Sequence, residues 1–210
     1  SYNVRYQVNQ DGRVHVSQEI SLKNNLSGIY ATRYSLSLQS EKIENISASD
    51  KLGPLKTEVR QENGTTVIDL FFNEQAVGKG KTYLFTIAYD HSDLVQKNGQ
   101  VWEVNLPKLA NSEKSAVYNT FLRVPQAFGD PAFINPEPVE KKIEEGFNVY
   151  RFTKNQLLNS GVSAAFGQFQ VFDFSLNYHL ENPNLSLGET EIALPPDTAY
   201  QTVYLKKITP

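Results

Sequence analysis

The chain contains no cysteine, and that absence removes disulfides, thiolate metal ligands and a thiol nucleophile together. Histidine is scarce: only His15, His91 and His179 occur. No two of them stand at helical i, i+4 spacing or in an H-x-H strand pair, so no metal site and no cofactor is read from them. No run approaches the roughly 18 apolar residues that span a bilayer, and no apolar segment follows a basic start. Any signal or anchor is therefore expected outside this segment, and no direct membrane insertion by the segment itself. Charge of one sign is also lacking, since 20 basic side chains against 23 acidic ones give a net charge of −3. That balance steers the chain neither to nucleic acid nor to an anionic membrane surface. What is present, 210 residues with 40% hydrophobic, suffices for one sizeable core or two small ones.

The patterning is that of β-strand from end to end. Tyr2, Val4, Tyr6 and Val8 alternate with Asn3, Arg5, Gln7 and Asn9. Asp11-Gly12 then turns the chain into Val14, Val16, Gln18, Ile20 and Leu22, a hairpin signal. Further strands are expected over 29–38, 43–48, 55–59, 66–72 and 83–89, broken by Asn24 to Gly28, Asn63-Gly64 and Gly78-Lys79-Gly80-Lys81. The polar stretch 91–99 reads as a boundary or long crossover. After it come strands over 101–106, 117–124 and 147–152, with irregular chain at Gly129-Asp130-Pro131 and Asn135 to Pro138. One short helix is expected near 154–160: Thr153 and Gln156 fit a capping box, and Gly161 fits a left-handed stop. A long aromatic strand is expected from Phe166 to Tyr178, and closing strands over 192–194 and 199–205. The chain opens at Ser1 inside a strand pattern, contains no methionine, and ends at Pro210 without a cap or polar tail. It is thus expected to be cut from something larger, with a further domain following.

The polar residues do not assemble into a catalytic pattern. Asp90-His91-Ser92 places the residue types of a hydrolase triad side by side, yet neighbours on an extended chain point to opposite sides. Asp173 and His179 would stand about 20 Å apart along one strand. Glu144-Glu145 and Glu189/Glu191 lie beside glycines and read as solvated turns rather than glycosidase carboxylates. Lys79/Lys81 and Lys206-Lys207 are too few for a phosphate-tracking stripe, and Gly78 to Lys81 lacks the phosphate-loop spacing, leaving a hairpin connection. The sequons at Asn25, Asn45, Asn63 and Asn184 are read as turn chemistry. No catalytic, cofactor-binding or metal residue is assigned. Trp102, Tyr30 and Tyr118 are the residues to watch for a carbohydrate-stacking platform.

Four stretches carry a resemblance to a known family: Tyr30 to Leu36, Phe72 to Gly80, Val101 to Pro107 and Tyr178 to Asn184. They resemble the N-terminal β-sandwich region of bacterial transglutaminase-like proteins, in the papain-like superfamily. The resemblance implies an all-β region ahead of a catalytic domain, in exported or membrane-anchored chains, with catalytic residues in the domain that follows. The strand pattern is also similar to the N-terminal saddle of zinc aminopeptidases, although the H-E-x-x-H metal motif is absent.

The sequence therefore predicts an all-β protein, an antiparallel β-sandwich or supersandwich, read as two packed units spanning 1–92 and 93–210 or one continuous supersandwich. It predicts a non-catalytic accessory module of an extracytoplasmic, exported or membrane-anchored transglutaminase-like protein. Its expected partners are the downstream domain and a protein or glycan ligand, with no nucleic acid. The competing reading is a stand-alone adhesin-like or carbohydrate-binding sandwich. An enzyme within these residues would need His91 or His179 to meet an acid and a nucleophile in one pocket.

Overall fold

The computed structural model describes residues 1–108, 117–158, 160–167, 174–183, 186, 188–198, 201–203 and 207–208. The chain divides into two units, Ser1–Gln168 and Phe169–Pro210. Strands dominate the first, which is all-β as expected.

The opening alternation becomes β1 (Tyr2–Val8) and β2 (Val14–Lys23). Gly12 sits at φ +88° in their turn, a conformation glycine adopts without strain. The Asp11 carboxylate accepts from the Arg13 amide at 3.1 Å and from its guanidinium at 2.8 Å. Val4, Tyr6, Val8, Val14, Val16 and Ile20 are buried on one face, and each such aliphatic side chain contributes about 2 kcal/mol relative to exposure. The chain continues through β3 (Arg33–Leu38), β4 (Ile43–Asp50), β5 (Gly53–Pro54), β6 (Lys56–Glu62), β7 (Thr65–Phe71) and β8 (Thr82–His91). Then come β9 (Val95–Asn98), β10 (Val101–Leu106), β11 (Tyr118–Pro125), β12 (Pro131–Asn135), β13 (Glu140–Glu144), β14 (Phe147–Thr153) and β15 (Val162–Gly167).

Three sheets result among the described residues. Eight strands run in the order β13-β14-β11-β1-β2-β8-β4-β5, four in the order β12-β15-β10-β9, and three in the order β3-β7-β6. The strand pairs are antiparallel except β1 with β11, whose register Tyr2↔Tyr118 to Gln7↔Arg123 is parallel. A parallel pair requires a long crossover, and the intervening strands β2 to β10 supply it. The eight-stranded sheet consequently draws strands from both sides of residue 92. The three-stranded sheet packs on β8 through Tyr34 against Phe85 and Phe72 against Tyr83, with ring centroids 5.3 and 4.2 Å apart. On the other flank Tyr150 meets Phe166 at 5.8 Å. One contiguous core runs from Val4 to Phe166.

Several local expectations are corrected. The 91–99 stretch holds the end of β8 and all of β9, which pairs with β10 from Val101↔Asn98 to Val104↔Val95, so only residues 92–94 carry the chain from the eight-stranded sheet to the four-stranded one. Pro131 opens an edge strand, a position that needs no ladder donor. The Gly78 to Lys81 segment joins two different sheets and is no hairpin. The short helix is a 3-10 turn over Lys154–Leu157. Its capping box is present, the Gln156 side chain accepting from the Thr153 amide at 2.9 Å, but Gly161 is absent from the residues at positive φ. Past β15, residues 168–173 of the expected aromatic strand lie outside the described residues. Phe174 to Tyr178 form no strand, and Phe174 is 59% exposed. Near the end residues 192–194 form no strand; of the strand expected over 199–205, residues 199–200 and 204–205 lie outside the described residues, and Gln201 forms an isolated bridge with Thr198.

Candidate interaction surface

The outer face of the eight-stranded sheet gathers the polar side chains that alternation excludes from the core. His15 and Asp90 face each other across β2 and β8, with Nδ1 and Oδ1 2.8 Å apart. Asn45 donates from Nδ2 to the other Asp90 oxygen at 2.7 Å. That residue sits at φ +52° in a register shift of β4 between Glu44 and Ser47, and the bulge is what aims its amide at Asp90. The hydrogen bonds from Asn45 and then from His15 hold the Asp90 carboxyl below its ordinary range. Asp90 thus has both oxygens engaged in orienting its neighbours.

His91, the next residue, points the opposite way into the core. It is 8% exposed, accepts on Nδ1 from the Asp93 amide at 3.2 Å, and is pushed below its usual pKa by burial. Asp90 and His91 therefore lie on opposite faces, and the adjacent triad types do not converge. His179 belongs to the second unit and meets Glu181 at 2.9 Å in the open; Asp173 lies outside the described residues. Among the described residues no group of three or more His, Asp or Glu could hold a metal ion.

The remaining candidates are placed as follows. Glu144 ends β13 and Glu145 begins the turn into β14, where Arg123 pairs with them at 3.5 and 3.2 Å. Glu189 and Glu191 are exposed in the second unit. Of Lys206-Lys207, Lys206 lies outside the described residues, as does Asn184 among the sequons. Trp102 does not form a free platform. Its ring stacks on Phe128 at 4.2 Å and 3°, and the Gly12 turn closes against it, a Cβ at Gly12 being 3.0 Å from Trp102 Cζ3. Tyr118 packs on Tyr2 at 5.7 Å.

The sheet edges differ sharply in protection. β13 reads EKKIE and β6 reads KTEVRQE, β5 has two residues, β9 carries Lys97, and β12 opens on proline. Charges, proline and shortness are the devices that block edge pairing. β3 has none of them after Arg33, since Tyr34-Ser35-Leu36-Ser37-Leu38 holds no charge, proline or glycine. Among the described residues its one neighbour is β7. The Phe72 amide bonds the Thr32 carbonyl at 3.0 Å, so the antiparallel alternation leaves the backbone groups of Arg33, Ser35 and Ser37 on the open side. Only the small Ser35 and Ser37 side chains stand on the exposed face there. Sequence reasoning missed this site because edge status depends on sheet order, which periodicity does not report.

These features define a packed all-β module with a polar outer face and one unguarded edge strand. The chain belongs to the family described as predicted membrane protein (DUF2207) N-terminal domain, whose model matches residues 1–162. No curated protein matches the sequence. Among solved structures, an aminopeptidase N family protein from Idiomarina loihiensis is similar at 14% identity and a TM-score of 0.50, over 83% of this chain and 30% of that one. Leukotriene A4 hydrolase from Saccharomyces cerevisiae aligns at 12% identity and a TM-score of 0.49, over 79% of this chain and 28% of that one. The M1 zinc metallopeptidase from Deinococcus radiodurans aligns at 13% and 0.46, over 79% and 41%. The chain thus spans well under half of each. At such identity the first likeness shows fold alone, in line with the saddle-like strand pattern. These comparisons bring no transglutaminase-like evidence. Among the described residues no helix is long and apolar enough to cross a membrane.

Proposed function

We propose that the chain is a non-catalytic interaction module of a larger membrane protein, held on the extracytoplasmic side, that recruits or positions a protein partner by adding a strand of that partner to the edge of β3. The observation that carries this reading is the edge itself. Six residues at about 3.3 Å each offer a pairing length near 20 Å, with unpaired backbone groups and no guarding charge after Arg33. Strand addition uses such an edge, main-chain hydrogen bonds giving affinity and alternate side chains giving selectivity. Support also comes from the spent polar chemistry, with Asp90 engaged by His15 and Asn45, and from membership of a membrane-protein family. The four-stretch resemblance would make the host protein transglutaminase-like, and it alone supports that detail.

The test uses Ser37→Pro. Proline removes an amide directed to the open side and leaves the β7 ladder intact. A photo-crosslinking residue at Ser35 should capture a protein partner in cells, and Ser37→Pro should abolish that product. Capture that survives Ser37→Pro would refute the edge as the docking element.

A further inference from the structure

The net charge of −3 conceals a division along the strands. β2, β8 and β4 are consecutive antiparallel neighbours, as are β3, β7 and β6. The connections 24–32, 51–55 and 72–81 therefore emerge at one common end. Two asparagines stitch them together. Asn24 donates to the carbonyls of Ile29 at 2.7 Å and Ala76 at 2.9 Å while accepting from the Leu26 amide at 2.9 Å. Asn73 donates to Asp50 at 3.1 Å and to the Pro54 carbonyl at 3.2 Å.

On this end four large apolar side chains stand open: Leu26 is 56%, Ile29 65%, Leu52 61% and Val77 55% exposed. Lys23, Arg33, Lys51, Lys79 and Lys81 lie on or beside these connections, against Asp50 and Glu74, while Lys56 at the start of β6 is taken up by Glu58 at 2.8 Å. Lys51 is paired with Glu74 at 2.8 Å. Among the described residues no carboxylate lies within 4.0 Å of the other four cations. The opposite ends of the same strands carry Asp11, Glu41, Glu44, Glu62, Asp90 and Asp93, against Arg13 and Lys42. These six strands are thus basic and apolar at one end and acidic at the other.

We propose that the 24–32, 51–55 and 72–81 end rests on the anionic face of a lipid bilayer. Leu26, Ile29, Leu52 and Val77 enter the boundary between headgroups and acyl chains, and Lys23, Arg33, Lys79 and Lys81 meet the phosphates. Exposed apolar side chains ringed by cations are the combination that interfacial binding rewards, by buried area plus attraction to acidic lipid. The acidic far end turns the molecule so that this end leads. The contact is peripheral and independent of the β3 reading.

The experiment is flotation of the 210-residue chain with phosphatidylcholine vesicles, with and without about one third phosphatidylglycerol. The expected result is binding to the acidic vesicles only, weakened by salt. Leu26→Asp/Ile29→Asp, and separately Lys79→Glu/Lys81→Glu, should each lower binding at least about tenfold, with the circular-dichroism spectrum unchanged because these side chains are exposed. Ile143→Asp on β13, also exposed, should bind as the unaltered chain does. No binding to acidic vesicles, equal loss in Ile143→Asp, or a self-associated chain that Leu26→Asp/Ile29→Asp dissociates would each overturn the proposal.

Discussion

Gly161 approaches the backbone of Leu106 so closely that a Cβ on it would stand 1.8 Å from the Leu106 carbonyl oxygen. The residue immediately precedes β15 and lies against the end of β10, and the obstacle is backbone, which cannot rotate aside. Gly161→Ala is expected to destabilise the fold by about 3 kcal/mol through forced backbone displacement. Gly28→Ala, with nothing within 4 Å and no left-handed φ, should stay within about 0.5 kcal/mol. Urea midpoints of the two variants check the contrast.

The Trp102 ring ties the β1–β2 turn to Phe128, with Lys97 Nζ 5.0 Å from its centroid. Trp102→Ala should cost about 3 kcal/mol from lost burial and stacking. Gly12→Ala combines the left-handed φ of +88° with a Cβ 3.0 Å from the ring. It should cost at least about 1 kcal/mol by thermal denaturation.

Where burial alternates, the sequence was legible: β1, β2 and β8 follow their apolar residues, and the Thr153–Gln156 box follows from its spacing. β13 and β9 were not. Glu140 to Glu144 and Val95 to Asn98 are edge strands, held by backbone pairing to a neighbour and lacking the alternation that marks a buried face. Gly161 was misread because a glycine beside a helical turn suggests a left-handed stop, whereas close approach to Leu106 is a tertiary fact. The same limit hid the β3 edge and the basic loop end, both products of sheet order. Conversely, the aromatics after Phe166 suggested a strand that Phe174 to Tyr178 do not form.

Buried His91 makes stability sensitive to mild acid. Burial holds its imidazole below the usual value of 6.5, so the unfolded chain takes up a proton that the folded chain refuses. The contribution is complete above that value and declines as pH falls through 6.5 toward the lower folded value. The melting temperature should fall between about pH 7.5 and 5.5, and His91→Gln should flatten that fall by at least about 2 °C. An identical slope in both proteins would remove His91 as the cause.

Asn24 holds two connections with one side chain. Asn24→Ala strips the Ile29 and Ala76 carbonyls of a donor and the Leu26 amide of an acceptor, a loss of about 1–3 kcal/mol. Amide hydrogen exchange should rise at Leu26, because the amide loses its acceptor, while the central residues of β2 and β8 stay protected.

The edge of β3 is the element on which the functional account stands, and Ser37→Pro tests it most directly. The measurement is photo-crosslinking from Ser35 in cells, read beside the thermal midpoint of the isolated chain. The account predicts a protein adduct in the unaltered sequence, its disappearance in Ser37→Pro, and a midpoint that does not move between the two. An adduct that persists through Ser37→Pro, with the fold equally intact, would contradict it.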